Sequence, residues 1–317
     1  MAAVLFAPRI GAQPRPQRIG FLNGGMSPDE SIQRHLIRPF REGLRALGRV
    51  EGRDHVIEFR FAEGRADRLA PLADELLRWQ PDLLVSTANA PTRALQQATT
   101  TVPILALAVD DPVELGFAKT FARPGGNITG ISSWGAELLA KRLELIKALL
   151  PGAQRVGVLG NTASAKQEPL ERALRRFGEP LGLQTQVALA TTPEQFGDAF
   201  EAFRRGRAEA VMVLADPMIF MHKGRIAELC NQYRLPSVWG GRDYLHGGGL
   251  ASYQADFIEV FSRGAVLADQ ILKGAKPAEM PFERANKLVL VINLKAARAL
   301  GITVPRPLLL AADEVLE

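Results

Sequence analysis

The sequence contains a single cysteine, Cys230. One cysteine closes no internal disulfide and supplies no zinc set. It sits in an apolar, helix-like stretch over residues 225–233, which predicts a buried core thiol. Histidine is also scarce: His35, His55, His222 and His246 are the only four, and no two stand at a metal-ligand spacing. Neither a metal nor a cofactor is expected. Asn23-Gly24-Gly25-Met26 does not fit a dinucleotide-binding GxGxxG, and the chain has no GxxxxGK[ST] and no GxSxG. The adjacent Asp110 and Asp111 point to opposite sides of an extended chain, so they form no ready acid–base pair. These absences predict a protein that is not an enzyme. Basic runs are missing as well. The net charge of +5 arises from Lys and Arg scattered among Asp and Glu, which argues against a nucleic-acid partner. No apolar run is long enough to span a bilayer.

What is present is material for two domains. The chain has 317 residues, too long for one compact α/β core, and 47% of them are hydrophobic. At the start, Ala2, Ala3, Val4, Leu5, Phe6 and Ala7 form a short apolar run, and Ile10-Gly11-Ala12 resembles the small-residue end of a secretory signal. The charged leader of such a signal is missing, so residues 1–17 are expected to be a truncated signal remnant and an extended leader through Pro14 and Pro16. The few cysteines agree with an oxidising, periplasmic compartment.

From Arg18 onward, short apolar strands alternate with amphipathic helices. Strands are predicted at 18–22, 55–61, 83–86 and 104–108, with helices over 29–47, 66–79 and around 92–98. In the helix over 29–47, Ile32, Leu36, Phe40, Leu44 and Leu47 recur at helical spacing, and Gly48 stops it. The pattern pauses at residues 123–132, where Pro124, Gly125, Gly126, Asn127 and Gly130 favour an extended connection. It then resumes with strands at 155–159, 185–189, 210–214, 237–240, 250–253 and 287–293 and helices between them. Strands separated by helices predict parallel βαβ units with helices on both sheet faces. The expected fold class is therefore α/β, two doubly wound, Rossmann-like parallel-sheet lobes with a cleft between them. The segment from about Gln254 onward is expected to cross back to the first lobe and return.

In parallel sheets, ligands bind beyond the carboxyl ends of the strands. That rule selects Asn23 and Gly24 after the first strand, Ser86, Thr87, Ala88 and Asn89 after the third, and Asp110 after the fourth. In the second series it selects Asn161, Asp216, Trp239, Asp243 and Tyr244. The chemistry suits a small zwitterion. Ser86, Thr87 and the N–H groups of a helix start can hold a carboxylate, and Asp216 or Asp243 an ammonium. Trp239 and Tyr244 can cover an apolar or aromatic side chain. Arg242 could instead bind an anion, which keeps aromatic or other organic acids open as ligands.

Three blocks carry a resemblance. Pro124-Gly125-Gly126-Asn127-Ile128-Thr129-Gly130 resembles the crossover signature of the ABC-transporter substrate-binding family that includes tryptophan/tyrosine-type binding proteins. Gly247-Gly248-Gly249-Leu250-Ala251-Ser252-Tyr253 is similar to its glycine-rich segment, and residues 271–277, 291–295 and 299–301 to its C-terminal run. The resemblance implies a type I periplasmic-binding-protein fold, with crossovers near residues 127–132, 252–256 and 281–284 and hinge residues Asn127, Thr129, Gly130 and Tyr253. The lobes are then expected as residues 18–128 plus about 254–282, and 129–253 plus about 283–317. It further implies a protein that encloses a small-molecule ligand, typically an amino acid, by hinge closure and presents it to ABC permease subunits in the inner membrane; a monomer is expected, and Asp216, Asp243, Tyr244 and Trp239 favour an aromatic or branched-chain amino acid. A ligand sensor for a membrane signalling kinase would share the same fold.

Overall fold

A computed structural model of the chain describes residues 15–25, 33–133 and 135–317. Residues 1–14 of the expected leader and the first part of the helix expected over 29–47 lie outside the described residues.

The first series runs β1 (Gln17–Asn23), α1 (Arg38–Ala46), β2 (His55–Phe61), α2 (Leu69–Arg78), β3 (Leu83–Thr87), α3 (Asn89–Ala98), β4 (Ile104–Val109) and β5 (Ile128–Ser132). The second runs α4 (Gly135–Leu149), β6 (Arg155–Asn161), α5 (Gln167–Gly178), β7 (Gln184–Ala190), α6 (Phe196–Arg205), β8 (Ala210–Val213), α7 (Pro217–Met221), α8 (Lys223–Gln232), β9 (Ser237–Trp239) and β10 (Ala251–Ala255). The chain ends with α9 (Phe257–Leu272), β11 (Glu283–Arg284), β12 (Leu288–Asn293), α10 (Leu294–Ala299), α11 (Arg306–Ala311) and β13 (Glu314–Leu316). Two sheets result. One has six strands in the order β11-β5-β4-β3-β1-β2; the other has seven, ordered β13-β12-β10-β9-β8-β6-β7. Every pairing is parallel except β10 with β12.

Each sheet carries helices on both faces. In the first lobe, Phe40 and Leu44 of α1 and Val260 and Phe261 of α9 pack on one face, and Leu72 and Leu76 of α2 with Leu95 of α3 cover the other. In the second, Leu143 and Ile146 of α4 pack with Leu170 and Leu174 of α5, opposite Phe200 of α6 and Ile226 of α8. Two helices thus serve the lobe that their preceding strand does not. Helix α9 leaves the second sheet and buries Phe261 against Phe21, with ring centroids 6.4 Å apart, in the first lobe. Burial of one such side chain stabilises by roughly 1.5–3 kcal/mol, enough to fix the path of the crossing chain.

Two features differ from the sequence reading. Residues 128–132, expected as an extended connection, form strand β5, buried at all five positions. Proline and the paired glycines end at Gly126, after which Ile128 and Ile131 supply the apolar, β-branched residues of a central strand. Gly130 is required there by close approach, because a Cβ would stand 1.8 Å from the Ala106 carbonyl oxygen of β4. The second difference concerns the hinge. Asn127, Thr129 and Gly130 are held inside the first lobe: Asn127 Nδ2 donates to the Val102 carbonyl at 2.8 Å, and Thr129 Oγ1 to that of Met280 at 2.8 Å. Tyr253 lies within β10 of the second sheet. The chain changes lobes after Ser132, between Ala255 and Phe257, and between Arg284 and Leu288. The last two crossings are fastened together, because Asp256 N donates to the Lys287 carbonyl at 2.9 Å and Lys287 Nζ pairs with Asp256 Oδ2 at 2.9 Å.

Candidate ligand-binding site

The carboxyl ends of β1 to β5 face those of β6 and β8 to β10, and the two rims touch. Asn89 Nδ2 reaches the Ser164 carbonyl of the second lobe at 3.3 Å. His35 Nδ1 meets Asp243 Oδ2 at 3.0 Å. A Cβ added to Gly24 would stand 2.6 Å from Pro217 Cγ, so glycine is what lets these rims approach.

On the first rim, Asn89 organises the site. Its Nδ2 donates to Asp110 Oδ2 at 2.7 Å, and its Oδ1 accepts from Asp110 N at 3.0 Å. The preceding Ala88 has φ +64° and ψ 179°, a region nearly restricted to glycine. A methyl group cannot cap a helix, so the N–H groups at the start of α3 have no side-chain cap. Beside them, Thr87 is 6% exposed and its hydroxyl has no partner among the described residues. Ser86 is different. Its hydroxyl lies 2.7 Å from Thr92 Oγ1, which in turn donates to the Ala88 carbonyl. Ser86 therefore braces the turn rather than holding a carboxylate. Asn23 plays a similar part, with Oδ1 accepting from Gly25 N at 2.6 Å.

Asp110 is exposed at the rim, with neighbouring protein packed around it. Burial raises its carboxyl above the ordinary range, against the opposing pull of the Asn89 hydrogen bond and the positive charge of Arg142. Ala108, with φ +56°, stands where the register between β4 and β5 shifts, and this irregularity turns the following residues toward the cleft.

On the second rim, Asp216 is occupied by its own lobe. Its carboxylate caps α7 through Met218 N at 2.8 Å and Ile219 N at 3.2 Å, and accepts from Asn161 Nδ2 at 2.9 Å and from Ser164 Oγ. Three of these donors fall on Oδ1 and one on Oδ2, so the carboxylate expected to hold an ammonium serves in this structure to cap α7 and to brace Asn161 and Ser164. Asn161 is a strut in the same network and also accepts from Ala163 N at 3.0 Å. Trp239 is fully buried and donates from Nε1 to Ser237 Oγ at 2.7 Å, which makes it a core residue and not a cover for a ligand. Tyr244 is buried against Trp239 and Phe220, with its hydroxyl on the backbone of Asp216. Its phenol is pushed up by burial, with the charge of Asp216 acting in the same direction. Arg242 forms a two-point ion pair with Glu314. Asp243 faces His35 across the cleft mouth.

Sequence reasoning missed Arg142 on α4. It is 5% exposed, and its Nε donates to the Tyr253 carbonyl at 2.9 Å. The signal was legible: Leu138, Arg142, Leu145, Ile146 and Leu149 recur at helical spacing, which puts an arginine on a buried stripe. Among the described residues there is no cluster of metal-ligating side chains and no helix long and apolar enough to cross a membrane.

The chain and its fold resemble those of known proteins. A curated tyrosine-binding protein of Clostridioides difficile is 24% identical over 263 residues, spanning 83% of this chain and 75% of the relative. An ABC domain from Streptococcus pneumonia solved in complex with L-Trp superposes with a TM-score of 0.87 at 26% identity, covering 95% of this chain and all of that one. A ligand-free, open substrate-binding protein with adhesive properties from Clostridium difficile shares the fold with a TM-score of 0.68 at 23% identity, over 95% and 99% of the two chains. The architecture is that of type I periplasmic binding proteins. The family described as ABC transporter substrate binding protein matches residues 33–316, and the chain belongs to that family.

Proposed function

We propose that this protein is the extracytoplasmic receptor of an ABC importer and captures an amino acid, aromatic or branched-chain, by closing its two lobes around it. The observation that carries the reading is the Asn89–Asp110 pair at the first rim. It is aligned with an uncapped helix start and the unpartnered Thr87 hydroxyl, and it reaches the second rim through the Ser164 carbonyl. The tyrosine-binding and L-Trp-bound relatives support the ligand class. Contacts made to both rims at once favour the closed population, and the closed shape is what permease subunits would read.

A melting-temperature screen over the amino acids and simple aromatic acids tests the ligand class. At a ligand concentration of 100 Kd, binding adds about 2.7 kcal/mol and raises the melting temperature by roughly 5–10 °C. If only compounds without an amino group stabilised the protein, the amino-acid reading would fail. Small-angle scattering with a stabilising ligand tests closure; an unchanged radius of gyration would rule it out.

A further inference from the structure

Helix α4 buries one face against the second sheet, and a cation lies in that face. Leu138, Leu139, Leu143, Ile146 and Leu149 are buried with Arg142 between them. A guanidinium carries five N–H donors. Of those of Arg142, Nε is matched by the Tyr253 carbonyl at 2.9 Å, while the two terminal nitrogens have no acceptor among the described residues. The charges and hydroxyls within its electrostatic reach are Asp110 from the first lobe and Tyr244 from the second. Asp110 makes no ion pair with it within 4.0 Å, and of the Asp110 oxygens only Oδ2 holds a protein donor, Asn89. Burial pulls the guanidinium down to about 10, which still leaves it charged at neutral pH.

A buried cation with only one of its nitrogens matched is expensive for a folded protein, because the attraction of Asp110 offsets only part of its lost hydration. Replacement by an apolar residue would remove that cost. The planar fork of a guanidinium, in contrast, fits a carboxylate through two parallel hydrogen bonds. We infer that Arg142 is a specificity-determining residue that anchors the carboxylate of the bound solute from the second lobe, while the free Asp110 oxygen takes its ammonium from the first. This rests on the amino-acid reading above. It moves carboxylate recognition away from Ser86, whose hydroxyl is committed to Thr92, and divides the two ligand charges between the two lobes. A solute with both charges then joins the lobes electrostatically, and one with the carboxylate blocked does not.

The test uses the full chain and the variants Arg142→Met and Arg142→Lys. In the absence of ligand, Arg142→Met is expected to melt at or above the wild-type temperature, since it deletes an incompletely compensated buried charge. A fall of several degrees would mark Arg142 as a structural strut and overturn the proposal. For binding, titration calorimetry compares L-tryptophan and L-tyrosine with their carboxamides. The wild type is expected to prefer the acids, and Arg142→Met to lose about 100-fold or more for them, with little change for the amides. Arg142→Lys, which keeps the charge without the fork, should recover part of that loss. Binding of the acids by Arg142→Met within about threefold of the wild type would also overturn it. A wild type that bound no amino acid would refute the amino-acid reading instead, and the ligand-free melting arm would still judge Arg142.

Discussion

Gly24→Ala isolates lobe closure from everything else. The residue lies on the first rim, and a Cβ there would stand 2.6 Å from Pro217 Cγ and 3.1 Å from Pro217 Cβ across the cleft, but an ordinary 3.4 Å from Pro91 in its own lobe. Comfortable carbon–carbon contacts begin near 3.5 Å, so the rims must part by about 1 Å at this point. Neither proline ring can swing aside, and Pro217 is further fixed at the first position of α7 under the Asp216 cap. The Gly24 backbone is not left-handed, so alanine is tolerated locally. Overpacking of this kind costs about 1–3 kcal/mol, incurred only when the lobes close. The same difference weakens ligand binding roughly 5–150-fold. Ligand-free stability should stay within about 1 kcal/mol of wild type, helped by the smaller unfolded-state entropy of alanine. Titration calorimetry reads the affinity, and small-angle scattering reads the compaction on ligand addition. Gly126→Ala serves as the control, because nothing lies within 4 Å of its Cβ. Undiminished affinity and full compaction in Gly24→Ala would refute the claim that the rims meet in the bound state.

Ala88→Gly should stabilise the ligand-free protein by about 1 kcal/mol, because it relieves the φ +64° backbone, after allowance for the entropy of glycine. The same change loosens Asn89 and is expected to weaken binding; a lower urea midpoint would show that the conformation is not strained. Cys230, 4% exposed and with its thiol pushed up to about 12 by burial, should resist iodoacetamide at pH 8 in the native protein and react once unfolded. Rapid labelling of the native form would contradict that burial.

The alternation of strand and helix was legible because each element carries its own period. Leu83–Thr87, buried at every position, reads as a central strand, and the stripe of Phe40 and Leu44 reads as one face of a helix. The burial of Cys230 followed from its apolar neighbours in the same way. The strand-end rule also brought Asn89 and Asp110 onto the candidate rim, since chain direction alone decides which end of a parallel strand meets the ligand. What the sequence could not rank was which of these polar groups remain available. Asp216 and Asp110 look alike in the chain, each following a strand. The first is consumed by Ser164 and Asn161, more than 50 residues away, and the second keeps one oxygen free. Trp239 reads as a binding aromatic and is core, because Ser237 and the packing around β9 enclose it.

The sequence by itself determined two α/β lobes, their parallel strands and the end of the sheets that forms the candidate site, because period and direction are local properties. Tertiary structure alone decided that β5 belongs to the first sheet and that Arg142 lies buried on α4 within electrostatic reach of Asp110. Competition for a hydrogen-bond partner or a packing site is settled among residues distant in the chain, and so appears only once the chain has folded.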